Sequence, residues 1–136
     1  MSKLIIIVSL CLAFVSLLPG CSQVEANPQE VVNEFLEAFM ADDLDGTMSY
    51  FADDAVFNAL NANEEFSDKE ELRGYIDFLM RQVIDMETRN FSLDGDQVTW
   101  EASLERRSTP TEISYSAIVE AGKISYLQTA LIVNDD

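Results

Sequence analysis

From Ile84 onward the chain drops helical spacing and alternates with a period of two. Met86–Leu93, Gln97–Arg106, Glu112–Val119 and Lys123–Val133 read as four strands. Asp94-Gly95-Asp96, the stretch from Arg107 to Thr111 with Pro110, and Ala121-Gly122 separate them. Connections this short force antiparallel neighbours, because a parallel neighbour needs a crossover of about a dozen residues or more. The second strand alternates most cleanly. Val98, Trp100, Ala102 and Leu104 share one face, and Thr99, Glu101, Ser103 and Glu105 the other. One such face must be covered, and the covering has to come from upstream.

Helical signals supply it. Asn27-Pro28-Gln29-Glu30 is a helix start, with Asn27 as cap, Pro28 in the first turn and Glu30 at the reciprocal capping position. Val31, Val32, Phe35, Leu36, Phe39 and Met40 then form one broad apolar stripe. A charge at Phe35 or Phe39 should be among the most damaging single changes. Asp42-Asp43-Leu44-Asp45-Gly46 turns the chain, its acids reading as caps and solvated loop, since the spacing of a calcium loop is missing. Leu44, Met48, Tyr50 and Phe51 make a short second helix, which Asp53 and Asp54 stop. Ala55-Val56-Phe57-Asn58 begins a strand, and Ala59 to Glu65 reads as a loop. Ser67-Asp68-Lys69-Glu70 is a second capping box, opening a helix with Leu72, Tyr75, Ile76, Leu79, Met80 and Val83 inward. Gly74 inside it predicts close packing against a neighbour. The fold class is therefore α+β, a strongly curved antiparallel sheet packed on N-terminal helices.

The first twenty residues stand apart. Lys3 is their only charge, and Leu4 to Leu18 is nearly continuous apolar sequence. That run is short for a membrane span of about 20 residues and has the basic flank of an export signal. It ends in Leu18-Pro19-Gly20-Cys21, which resembles the bacterial lipoprotein signal, in which the cysteine is lipidated and becomes the new N-terminus. Ordinary secretion and retention of the whole segment are the alternatives. On the lipoprotein reading, residues 1–20 are the signal, 21–29 the lipidated Cys21 and a short tether, and 30–133 the domain. The protein would be exported and anchored to a bacterial membrane, the outer one if the host has two, because Ser22 is not the aspartate that favours inner-membrane retention. Loss of Lys3 leaves seven basic against twenty-five acidic side chains, a net charge of −18. So negative a chain is not a nucleic-acid binder, and it does not adhere to anionic lipid by charge. Cys11 departs with the signal and Cys21 is consumed by lipid, so no disulfide is expected and the core alone must hold the domain.

The element order, with Ala38 to Asn58 (AFMADDLDGTMSYFADDAVFN), Ser67 to Leu79 (SDKEELRGYIDFL) and Ala121 to Ile132 (AGKISYLQTALI), resembles the SnoaL-like branch of the nuclear-transport-factor-2-like superfamily. The resemblance implies a cone-shaped curved sheet around an apolar pocket. It does not imply one activity, because isomerases, cyclases, epoxide hydrolases, dehydratases and non-catalytic modules share that scaffold.

The familiar chemistries are missing their residues. The ketosteroid-isomerase-like pattern has a tyrosine where this chain has Phe35, a carboxylate base near Ala59, and an acidic donor near Ser114 to Ser116. The limonene-epoxide-hydrolase-like pattern has Arg and Asp where Ala102 and Leu104 stand, and Asp at Thr129. The polyketide-cyclase branch leans on histidine, and this chain has none. That absence also removes the common zinc sites and the Ser-His or Cys-His arrangements. Neither cofactor nor metal is expected. The resemblance offers Asn58, Tyr75, Trp100, Tyr115, Tyr126 and Gln128 as pocket lining, though each also reads as core or rim. Glu87 and Arg89 share a face and read as an outward surface pair. Two functions follow: a non-catalytic domain binding a small apolar ligand or a protein partner, or a lyase or isomerase using Glu87 or Glu101. Homodimerisation through the outer sheet face is compatible with both.

Overall fold

The computed structural model describes residues 27–133. Helix α1 (Pro28–Met40) starts where Asn27 Oδ1 accepts the Gln29 N–H at 2.9 Å. Asp43 caps the short helix α2 (Leu44–Ser49) by accepting the Gly46 N–H at 2.9 Å. A Cβ on Gly46 would lie 2.1 Å from Asp43 Oδ2, so a larger residue there would push the capping carboxylate aside. Asp45 pairs with Arg73 on the next long helix, so the acidic turn divides between a cap and a surface ion pair.

Strand β1 (Phe51–Ala59) begins earlier than the acids suggest. Phe51, Ala55, Phe57 and Ala59 are buried on one side, while Asp53 and Asp54 are exposed where the register against its neighbour shifts. The acids sit in an irregular part of the strand and do not end the helix before it; Phe51 belongs to the strand. A 3-10 turn (Leu60–Ala62) leads to β2 (Glu64–Phe66), a three-residue edge strand that overlaps the end of the stretch Ala59 to Glu65 read as loop. Helix α3 (Lys69–Gln82) is capped by Asp68, whose Oδ1 accepts from Glu70 N at 2.9 Å and Glu71 N at 3.1 Å. The carboxylate displaces Ser67 as cap because it answers two orphan N–H groups and favours the positive helix end.

The antiparallel meander follows as read: β3 (Val83–Asp94), β4 (Gln97–Arg106), β5 (Thr111–Glu120) and β6 (Lys123–Leu131). Ala121 and Gly122 both adopt positive φ in the β5–β6 turn, as a two-residue type I′ hairpin demands. The sheet order is β2-β1-β6-β5-β4-β3. Its one parallel pairing joins β1 to β6, with Phe57 opposite Leu127. The sheet is thus mixed at that seam, since β1 and β6 are far apart in sequence and no short connection dictates their sense.

Both long helices lie on one face of the sheet. Val32, Phe35, Phe51, Phe57, Leu72, Ile76, Trp100, Ile124 and Leu127 form the centre of the core, each at most 4% exposed. Met40, from the expected apolar stripe, is exposed, and Phe39 is only half-buried. Gly74 has no atom within 4 Å of where a Cβ would be, so it packs against nothing, contrary to its reading as a close contact. Gly74→Ala should therefore stabilise the domain by about 0.5–1 kcal/mol through helix propensity alone. A urea midpoint that stays put or falls would refute this.

Candidate functional site

The cone between α1, α3 and the inner face of β3–β6 encloses a cavity of about 60 Å³. Phe35, Leu36 and Phe39 reach it from α1, and Tyr75, Ile76 and Leu79 from α3. The sheet contributes Phe57, Val83, Met86, Leu104, Ile113, Tyr115 and Leu127. Polar groups are few: Asn61 and Thr129, the two phenols, and Arg106. Among the described residues no carboxylate lines this cavity. An engineered protein cavity of about 150 Å³ admits a benzene ring. A space this much smaller takes a short aliphatic group in preference to a ring system.

Aromatic packing explains why so little space remains. Phe35 meets Phe51 edge-to-face at 5.4 Å, and Phe57 meets Tyr75 the same way at 5.3 Å. Tyr75 also stacks on Phe66 of β2 at 4.4 Å, so the edge strand braces the helix. Trp100 lies beside the wall on the same inner face, stacked on Tyr115 at 5.0 Å and 3°, and on Phe91 at 6.0 Å. Asn90, with φ 58°, interrupts the register between Arg89 and Ser92, and Phe91 packs against the core beside it.

Electrostatics in the cone are equally spare. Burial pushes the Tyr115 hydroxyl well above the usual phenol range, with the neighbouring Tyr75 adding to it. Burial likewise raises Tyr75, assisted by Glu64. Both phenols stay protonated at neutral pH and serve as hydrogen-bonding groups, not bases. Thr129 donates to Asn61 Oδ1 at 3.0 Å, closing the β6 side of the cavity. Arg106 makes no hydrogen bond or ion pair from its side chain among the described residues, and its Nε is buried without an acceptor.

Of the residues the sequence offered as lining, Tyr75 and Tyr115 stand on the cavity wall, and Trp100 is buried beside Tyr115 on the same inner face without lining the cavity. Asn58, Tyr126 and Gln128 do not join them. They lie on the opposite face, where Asn58 Nδ2 donates to the Tyr126 hydroxyl at 3.3 Å and that hydroxyl donates to Gln128 Oε1 at 2.9 Å. The reason is parity: Phe57, Leu127 and Thr129 point inward, so their strand neighbours Asn58 and Gln128 point out. Glu87 is exposed, and Glu101 lies on the outer face accepting from Asn90 Nδ2 at 2.7 Å. Neither reaches the cone.

Arg89 is outward too, but its partners are across the sheet and not Glu87. It joins Glu112 and Ser103, with Glu101 at 3.5 Å. The Ser103 hydroxyl, then Arg89, hold the Glu112 carboxyl below its ordinary range. Arg106 was the residue missed. It continues the inward alternation Val98, Trp100, Ala102, Leu104 by one more step, and that parity was the signal available. The Cys21 lipidation reading falls outside the described residues. Among those described, no helix is long and apolar enough to cross a membrane.

Comparison with known proteins follows this geometry. A family model for the SnoaL-like domain matches residues 32–125. A search of curated proteins finds no significant match. An NTF-2 like protein of unknown function from Burkholderia xenovorans LB400 superposes with a TM-score of 0.70 at 17% identity, covering 80% of this chain and 85% of that one. A protein provisionally called a polyketide cyclase, from Sinorhizobium meliloti, gives 0.68 at 21% identity, covering 74% and 94%. A protein with a ketosteroid isomerase-like fold from Catenulispora acidiphila, in complex with trimethylamine, gives 0.65 at 16% identity, covering 76% and 86%. At these identities the likeness is one of fold.

Proposed function

The chain belongs to the SnoaL-like domain family, and from that premise we propose that it is a membrane-anchored, non-catalytic domain whose cone binds a small, largely apolar ligand. The observation that carries this reading is the wall itself. Five aromatic rings, those of Phe35, Phe39, Phe57, Tyr75 and Tyr115, close around about 60 Å³ with no carboxylate among the described lining residues. Proton abstraction or donation to a substrate carbon needs a group of suitable pKa within hydrogen-bond reach. The two acids that a lyase or isomerase could have used, Glu87 and Glu101, face away from the cavity. A shape-selective apolar space with a few polar groups is what a binding site for a small molecule needs. The domain would sit on the exported side of a bacterial membrane, held by acyl chains on Cys21.

The test uses the chain's single tryptophan, stacked on Tyr115 of the cavity wall. Titration of the detergent-solubilised full chain with butanol should change Trp100 emission saturably, beyond a micelle-only blank. A linear, non-saturating response would remove the binding reading.

A further inference from the structure

Arg106 is the feature that a purely apolar ligand leaves unexplained. Its Nε is buried without an acceptor, in the wall of a cavity built from Leu79, Met86, Ile113 and aromatic rings. A buried donor left unpaired is costly, and one on a permanently charged guanidinium more so. Carboxylates are plentiful in this chain, at twenty-five, yet none among the described residues lies within salt-bridge distance of Arg106. Arg73, Arg81 and Arg89 each hold a carboxylate, and exposed Arg107 donates from Nε to the Arg81 carbonyl at 2.9 Å. Arg106 is thus a cation held at the cavity wall with its pairing capacity unspent.

Resting on the reading of the cone as a binding site, we propose that it is a receptor for short-chain monocarboxylates, with Arg106 taking the carboxylate and the apolar wall the chain. A guanidinium presents parallel N–H donors in the geometry of a carboxylate's two oxygens, and such charge-assisted pairs are the stronger hydrogen bonds. The Tyr75 and Tyr115 hydroxyls, kept protonated by burial, are further donors on the same wall. The cavity volume limits the chain to a few carbons beyond the acid. A dianion is disfavoured, because one cation faces the cavity while the chain as a whole carries −17.

The experiment compares butyrate, butyramide and butanol on the full chain in detergent, reading Trp100 emission and calorimetric heat. The parent should bind butyrate about tenfold or more tightly than butyramide. Arg106→Gln, checked for folding by circular dichroism, should erase that preference. Butanol binding with no preference for the acid would overturn the carboxylate proposal and leave the binding reading standing. No saturable response to any of the three would overturn both. A preference that survives in Arg106→Gln would overturn the role of Arg106. If that variant does not fold, the parent's pH profile decides: butyrate affinity should collapse as its carboxyl protonates while butanol affinity stays level, and parallel profiles would refute the proposal.

Discussion

Phe35→Asp should abolish cooperative folding, whereas Phe39→Asp, one helical turn away, should leave a folded protein. Phe35 is 4% exposed and packs edge-to-face on Phe51, itself 2% exposed, at the junction of α1 with the sheet. Truncating a buried phenylalanine costs about 3–5 kcal/mol through lost transfer energy and residual cavity. An ionised carboxylate in the same place adds a desolvation penalty of several kcal/mol more, with no partner built to receive it. The sum rivals the whole stability of a domain this size, about 5–15 kcal/mol. Phe39 is half-buried at the end of α1, so a carboxylate there can turn toward water, and a loss of about 1–3 kcal/mol is expected. Urea unfolding followed by far-ultraviolet circular dichroism separates the two. A cooperative Phe35→Asp transition within about 1 kcal/mol of the parent would show that α1 is not the lid of this core.

That contrast illustrates which levels of structure are written locally. The apolar stripe of α1 was legible, because periodicity of 3.6 is a property of neighbours in sequence. How deep each member lies was not, because Phe35 is fully covered by the curved sheet, Phe39 is half-buried at the cavity wall and Met40 is exposed. The four-strand meander was legible for the same local reason, down to the turn at Ala121-Gly122. The β1–β6 seam was not: its parallel sense arises from strands distant in sequence, and Asp53 and Asp54 hid the start of β1 behind a helix-stop signal. Strand β2 has two glutamates in three residues and reads as loop; it exists because Phe66 finds Tyr75 and its backbone finds the β1 edge.

The candidate site shows the same division. Parity along one strand is exact, so the inward run Val98, Trp100, Ala102, Leu104 reaches Arg106 by arithmetic. Asn58, Tyr126 and Gln128 were misassigned because a likeness of fold suggests which strands enclose a pocket without saying which residues on them face it. Polar edges attract functional guesses, but on this sheet they mark the solvated side. Arg106, named from the sequence only as the end of the second strand, stands on the cavity wall by that same parity.

Cys21→Ser should move the protein from the membrane fraction to the soluble fraction and end fatty-acid incorporation. Among the described residues no helix is long and apolar enough to span a bilayer. Electrostatics work against adhesion, since seven basic side chains face twenty-five acidic ones once Lys3 is removed. Anionic headgroups repel such a surface beyond the reach of any single basic residue. One acyl chain gives only marginal, reversible attachment, at about 0.8 kcal/mol per buried CH2, so retention implies more than one chain on the same residue. Helix α1 starts at Pro28, and Ser22 to Ala26 extends to roughly 17 Å at most. A domain tethered that closely should be protected from protease near the membrane and released from it by the substitution. Fractionation alone leaves one ambiguity, because an unprocessed apolar run from Leu4 to Leu18 could itself hold the variant in the bilayer. Growth with an alkyne-bearing palmitate analogue removes it: the parent should carry the label and Cys21→Ser should not, whatever their fractions. An unlabelled parent, or a labelled variant, would end the lipoprotein reading and return the segment to ordinary secretion or retention.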